Sequence, residues 1–171
     1  MALPGLSLDT HFLYFAYGSC MCPVDLKRSL GEDVHSSVLG SAQLSGYRLG
    51  FYHYLSRRNC GALDIVADPR SQVEGVLYRL PLRLSDRLDE REGVELGYYR
   101  HEQVEVNCRG RLYPGVRTYT VIDKLSEELA PNEWYSSVVL RGALTCGLSE
   151  EYCWQLFERM RWLQSRQRRS A

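Results

Sequence analysis

Over the first three quarters of the chain the apolar positions form short runs or alternate with polar ones. Only near the end do they settle into helical spacing. Leu13–Ala16 is a short apolar run broken by Tyr17-Gly18-Ser19, which predicts a buried strand ending in a loop. Pro23 suits a first helical turn, where its missing N–H is not needed, and Val24, Leu26 and Leu30 extend a short helix from it. From Gly40 to Tyr54 the chain is rich in Leu, Tyr and Phe with interspersed glycines, which predicts strands joined by turns. Ala62–Ala67 is a further apolar run that stops at the turn signal Asp68-Pro69. Gln72–Leu80 alternates, with Val73, Gly75 and Leu77 on one face and Glu74, Val76 and Tyr78 on the other.

Ser85 is placed to cap a helix over Asp86–Glu92, with acids near its start and Gly93 as its stop. Val104 and Val106 alternate with Glu105 in another strand, and Val116–Ile122 is a β-branched and aromatic strand. Ser149 caps the longest helical pattern, in which Tyr152, Cys153, Leu156, Phe157, Met160 and Leu163 form one apolar stripe. Many strands with short inserted helices and one helix near the end make the class α+β rather than a βαβ series. Short strands with many turns are able to close into a barrel.

Composition narrows this little but excludes much. With 171 residues the expectation is a single domain over 1–171. About ten residues at the start and about eight at the end are expected to fray, the basic run Arg166-Gln167-Arg168-Arg169 among them. The 21 basic and 21 acidic side chains cancel. That argues against a nucleic-acid partner, whose phosphates are held by excess Lys and Arg. No stretch approaches the ~20 apolar residues that span a bilayer. The start MALPGLSLDTHF has no basic region before an apolar core, so no signal peptide and a cytoplasmic location are expected. Cys20, Cys22, Cys60, Cys108, Cys146 and Cys153 form no C-x-x-C pair, and the four histidines stand singly. Buried free thiols are expected, and neither a metal nor an organic cofactor is implied.

Three places carry chemistry. The corner Tyr17-Gly18-Ser19-Cys20, where a strand runs into a helix start, presents several backbone N–H groups together and cradles an anion. The same pattern also occurs as a plain turn. Glu92 lies four residues after Leu88, the one apolar residue of its helix, so both share the inward face. Burial and the negative end of the helix dipole both favour its neutral form, which raises its pKa toward that of a general base. In a run so charged, a surface glutamate is the competing reading. The 12 tyrosines, Tyr98, Tyr99 and Tyr135 among them, are mostly amphipathic packing residues, some with hydroxyls available to a polar ligand. Ser19 lacks the G-x-S-x-G elbow of a serine nucleophile.

In order along the chain, these pieces resemble the γ-glutamylcyclotransferase superfamily. Phe15-Ala16-Tyr17-Gly18-Ser19-Cys20-Met21 is similar to its YGSN-L/M loop, and Leu88-Asp89-Glu90-Arg91-Glu92-Gly93 to its LD-x-x-EG segment, whose glutamate is the acid/base. Tyr99 falls where the family has an active-site tyrosine. Pro131-Asn132-Glu133-Trp134-Tyr135, Gly142-Ala143 and Gly147-Leu148 resemble its P-x-x-x-Y…GA…GL run. The resemblance implies a small mixed β-barrel flanked by helices, a small-molecule γ-glutamyl substrate, and a homodimer as an open option. It implies that the substrate's α-amine attacks its own γ-amide to release 5-oxoproline and an amine. Glu92 would shuttle the proton, the amides of Tyr17–Cys20 would meet negative charge, and Tyr99 and Tyr135 would orient the glutamyl group. Cys20 departs from the family's asparagine, and a thiol is a weaker donor and acceptor than an amide. Two alternatives stand beside this: a non-catalytic binding module of the same fold, and a hydrolase or transferase with Cys20 as nucleophile.

Overall fold

Five strands close on themselves in the computed structural model, which describes residues 10–171; the frayed start expected for the chain falls outside the described residues. The elements are β1 (His11–Ala16), α1 (Pro23–Leu30), β2 (Val38–Leu55), β3 (Cys60–Pro81), α2 (Ser85–Glu92), β4 (Tyr99–Cys108), β5 (Arg111–Val121), α3 (Glu133–Thr145) and α4 (Glu150–Ser170). The barrel order is β1-β3-β2-β4-β5. Neighbours run antiparallel except where β5 returns to β1, with Tyr14 opposite Arg117 in a parallel pair. This is the mixed barrel with flanking helices that the family resemblance implies. Phe15, Phe51, Leu63, Tyr78 and Tyr119 are buried in its core. Among the described residues no helix is long and apolar enough to cross a membrane.

Two long strands replace the several short ones expected. β2 is one strand of 18 residues, and its register against β3 shifts between Val38 and Gly40, Ser45 and Tyr47, and Gly50 and His53. The glycines mark these irregularities rather than turns. Gly46 has φ 84°, a conformation that bends a strand without ending it. Asp68-Pro69 likewise lies inside β3. Pairing passes from Tyr47–Ala67 to Ser45–Gln72, and the residues between bulge outward. The Asp68 carboxylate stabilises the bulge by accepting from the Arg70 amide at 3.1 Å and the Ser71 hydroxyl at 2.7 Å. Bulges of this kind give the curvature that closure requires.

The helices also differ in part. Ser85 is not a cap: a tight turn over Leu82–Leu84 leads straight into α2, and the Ser85 hydroxyl accepts from Arg117 at 2.7 Å instead. Gly93 ends α2 in the left-handed conformation at φ 66°, as expected. Near the end there are two helices, not one. Asn132 caps α3 by accepting from the Tyr135 amide at 2.8 Å. Paired serines and valines within α3 (Ser136, Ser137, Val138, Val139) favour helix weakly, which hides it from a propensity reading. Ser149 does cap α4, whose Cys153, Leu156, Met160 and Leu163 are buried while Phe157 stays exposed. α4 continues through Arg166–Arg169 to Ser170, where a frayed end was expected. Basic side chains there complement the helix's negative end.

One close approach positions the site. A Cβ on Gly142 of α3 would lie 2.5 Å from the Cys22 nitrogen and 2.6 Å from the Met21 carbonyl carbon. Only glycine lets α3 press against the turn that follows β1.

Candidate active site

β1 ends in buried residues, and the chain turns at once through Gly18 into a single tight turn over Ser19–Met21. The first amides of such a turn have no partner within it. The Met21 and Cys22 amides bond back to the Gly18 and Ser19 carbonyls. Among the described residues the amides of Gly18, Ser19 and Cys20 bond to no protein acceptor. Gly18 is also sterically close, since a Cβ there would sit 3.1 Å from the Tyr135 hydroxyl.

α2 brings Glu92 to this turn. Leu88 is fully buried, and Glu92, one turn on, is carried inward with it. The Cys20 thiol donates to Glu92 Oε1 at 3.1 Å. Glu92 keeps partial exposure while protein surrounds it, so the space it faces is the cavity. Its pKa is raised. Burial is the main cause, opposed by the Arg91 charge and the Cys20 hydrogen bond, reinforced by Asp89 and opposed again by Arg57. The Cys20 thiol is pushed up to about 12 by burial, against the pull of Arg91 and with a further push from Glu92.

Arg91 is the residue that sequence reasoning missed. Its Nε donates to Cys20 Sγ at 2.9 Å and its Nη2 to Ser19 Oγ at 3.1 Å. The same Nη2 pairs with the Asp25 carboxylate of α1 at 2.7 Å, both side chains being largely buried. The signal was present, because Arg91 follows Leu88 by three positions and so shares the inward face with Glu92. Tyr14 was missed as well. It is buried in the cavity wall, stacked on Tyr78 with ring centroids 6.0 Å apart.

The predicted tyrosines bracket the strand opposite. Tyr99 donates to the Leu63 carbonyl at 2.9 Å, and Tyr135 accepts from the Leu63 amide at 2.9 Å. Tyr17 donates to the Tyr119 carbonyl at 2.6 Å. Tyr135 therefore retains its own hydroxyl proton for a ligand, whereas those of Tyr17 and Tyr99 hold the barrel wall. Tyr17–Cys20, Glu92, Tyr99 and Tyr135 all line one cavity of about 810 Å³. The exposed side chains of Arg57, Arg58, Leu96 and Tyr98 belong to the same lining and form its solvent side. The arrangement offers a raised carboxylate, a cluster of unpaired amides and phenol hydroxyls, that of Tyr135 among them, within a common space, which suits proton transfer on a polar, anionic small molecule. Among the described residues no three His, Cys, Asp or Glu side chains gather as a metal-binding group.

Known proteins share this chain's sequence and fold. A model of the AIG2-like family matches residues 72–156. The γ-glutamylcyclotransferase of Mus musculus is 31% identical over 145 residues, which is 82% of this chain and 74% of the mouse protein. YkqA of Bacillus subtilis (strain 168) is 37% identical over 130 residues, 76% of this chain but 46% of YkqA, so the chain spans about half the length of that relative. The crystal structure of YkqA superposes with a TM-score of 0.81 at 35% identity, over 90% of this chain and 55% of YkqA. A solved structure described as a γ-glutamyl cyclotransferase gives a TM-score of 0.77 at 27% identity, over 85% of this chain and 86% of its own. A barrel shared with these solved structures and likeness over most of the mouse protein together establish that the chain belongs to the γ-glutamylcyclotransferase family.

Proposed function

We propose that this chain is a γ-glutamylcyclotransferase that acts on a small γ-glutamyl amide with Glu92 as its proton carrier. One observation carries the reading: the Glu92 carboxylate, its pKa raised by burial, accepts from the Cys20 thiol, and Cys20 belongs to the Gly18–Cys20 turn whose unpaired amides line the same cavity. The substrate holds an α-ammonium, an α-carboxylate and a γ-amide. Glu92 takes one proton from the ammonium, and the freed amine attacks the γ-carbonyl carbon. A C–N bond forms, closing a five-membered ring, and negative charge gathers on the former carbonyl oxygen. The bond to the leaving nitrogen then breaks as Glu92 returns its proton there. The ring nitrogen's second proton also ends on the departing amine, which leaves as an ammonium beside 5-oxoproline.

Nucleophile and electrophile are already tethered, so the protein has to hold the folded-back conformer rather than form a covalent intermediate. The amides of Gly18, Ser19 and Cys20 are the groups available to negative charge. The Tyr135 hydroxyl is available to orient the glutamyl part, with Tyr99 holding the adjoining wall. A nucleophilic Cys20 is disfavoured, because a thiol held near 12 has little thiolate at neutral pH. A cytoplasmic setting belongs to the same reading, favoured by six cysteines that all stand as free thiols. The test is release of 5-oxoproline over a panel of γ-glutamyl amino acids, peptides and amines. Turnover of at least one class is expected. Binding without turnover across the whole panel would make the chain a ligand-binding module.

A further inference from the structure

We propose that Cys20 is the positioning residue of this site, a spacer whose sulfur lets Arg91 orient Glu92 without pairing with it. The inference rests on Glu92 being the proton carrier. Four buried or half-buried groups from three parts of the chain stand in line. Asp25 holds Arg91 at 2.7 Å, Arg91 Nε donates to Cys20 Sγ at 2.9 Å, and the thiol donates to Glu92 Oε1 at 3.1 Å. A thiol is able to accept and donate at once, as this line requires. Among the described residues no ion pair within 4.0 Å joins Arg91 to Glu92, although the two are adjacent in sequence.

That separation matters chemically. A guanidinium in direct contact would pull a carboxylate's pKa down by about one to three units and leave a poor base. Through the sulfur, the cation fixes the carboxylate's direction from beyond contact: its Nη2 is paired with Asp25, and its charge lowers the Glu92 pKa by less than burial raises it. Oε1 is occupied by the thiol, so Oε2, which has no hydrogen-bond partner among the described residues, is left to take the substrate's proton.

The other ionisable groups facing Glu92 do not supply this link. Tyr14 and Tyr17 face it from the end of β1, and Tyr99 and Tyr135 from β4 and α3, all with pKa values raised by burial. Asp89 acts from the preceding turn of α2 and Arg57 from the β2–β3 turn, in opposite senses. Among the described residues only Cys20 forms a hydrogen bond to the carboxylate.

The pH profile of kcat/KM tests the proposal, since its acid limb reports the base in the free enzyme. Cys20→Val keeps the buried bulk and removes the donor, which leaves the charged form of Glu92 less stabilised. Its limb is expected about one pH unit higher, with kcat/KM about tenfold lower at pH values below the limb. Cys20→Ser, which again donates and accepts, is expected to bring the limb back toward wild type. A valine variant with the wild-type limb overturns the proposal. A second readout needs no turnover. The infrared S–H stretch of Cys20 in the unaltered chain, assigned by its loss in Cys20→Ser, is expected to move to lower frequency as Glu92 ionises. A band unmoved over that pH range also overturns it. If no γ-glutamyl substrate is turned over while the band responds, the proposed reaction is wrong and the thiol link stands.

Discussion

Two carboxylates of this molecule, one in the barrel wall and one at the end of a flanking helix, have opposite uses for their burial. Asp64 on β3 is fully buried in the wall. Its Oδ1 accepts from the Ile65 amide at 2.8 Å, the Val121 amide at 2.9 Å and the Thr120 hydroxyl at 3.1 Å, and its Oδ2 takes Lys124 Nζ at 2.6 Å. Those four donors tie β3 to the end of β5, and the acid has no open space before it. Glu92 at the end of α2 accepts one thiol and faces a cavity. Burial alone therefore does not make a general base. What separates the two acids is how many lone pairs the protein has already filled, and whether the rest look onto room for a substrate.

Substitutions sharpen that contrast, the largest effect coming from the wall. Asp64→Ala removes a carboxylate from four donors at once and leaves Lys124 without its counter-ion. Lys124 keeps 36% of its side-chain exposure, so the loss is expected at about 3 kcal/mol, the lower end for a broken buried pair. Urea unfolding measures it, and a loss within about 0.5 kcal/mol, as for an ordinary surface change, would remove Asp64's structural role. Glu92→Gln keeps size and shape but cannot carry a proton. Turnover is expected to fall about a hundredfold or more, equivalent to about 2.7 kcal/mol of barrier, with the far-ultraviolet circular dichroism unchanged. A variant within a few fold of wild type would take Glu92 out of the mechanism.

Tyr99→Phe lies between the two regions, because its hydroxyl bonds the Leu63 carbonyl next to Asp64. About 1 kcal/mol of stability is expected to go with that bond, read from the same urea titration; an unchanged midpoint would show that the hydroxyl does not hold the wall. The smallest effect runs the other way. Glu92 has a raised pKa in the folded chain, so the folded state holds its proton to a higher pH than the unfolded state does. Between the unfolded value of roughly 4.3 and the folded one, stability falls as pH rises, and the ionised, buried carboxylate costs stability above both. Glu92→Gln is thus expected to melt slightly higher than wild type at neutral pH, with the gain fading as pH drops toward the unfolded value. A melting temperature below wild type at neutral pH would mean that Glu92 is a structural anion like Asp64.

Local signals accounted for much of this molecule. Spacing put Leu88 and Glu92 on one helix face, Gly93 marked the helix end, Ser149 marked the start of α4, and Gly18 marked the corner after β1. Each depends on a few neighbouring residues, because caps, stops and periodicity are written within one or two turns of backbone. The same locality explains the misreadings. A glycine in β2 and the Asp68-Pro69 pair in β3 look alike whether the strand ends or only bulges, and the partner strand decides which. Only the closed barrel brought Cys20 to Arg91 and Glu92 across 71 and 72 positions, and Asp25 to Arg91 across 66. The order of residues determined which acid points inward. Closure determined what that acid touches, since hydrogen bonds act over about 3 Å and no local pattern reports which distant segment will arrive within that reach.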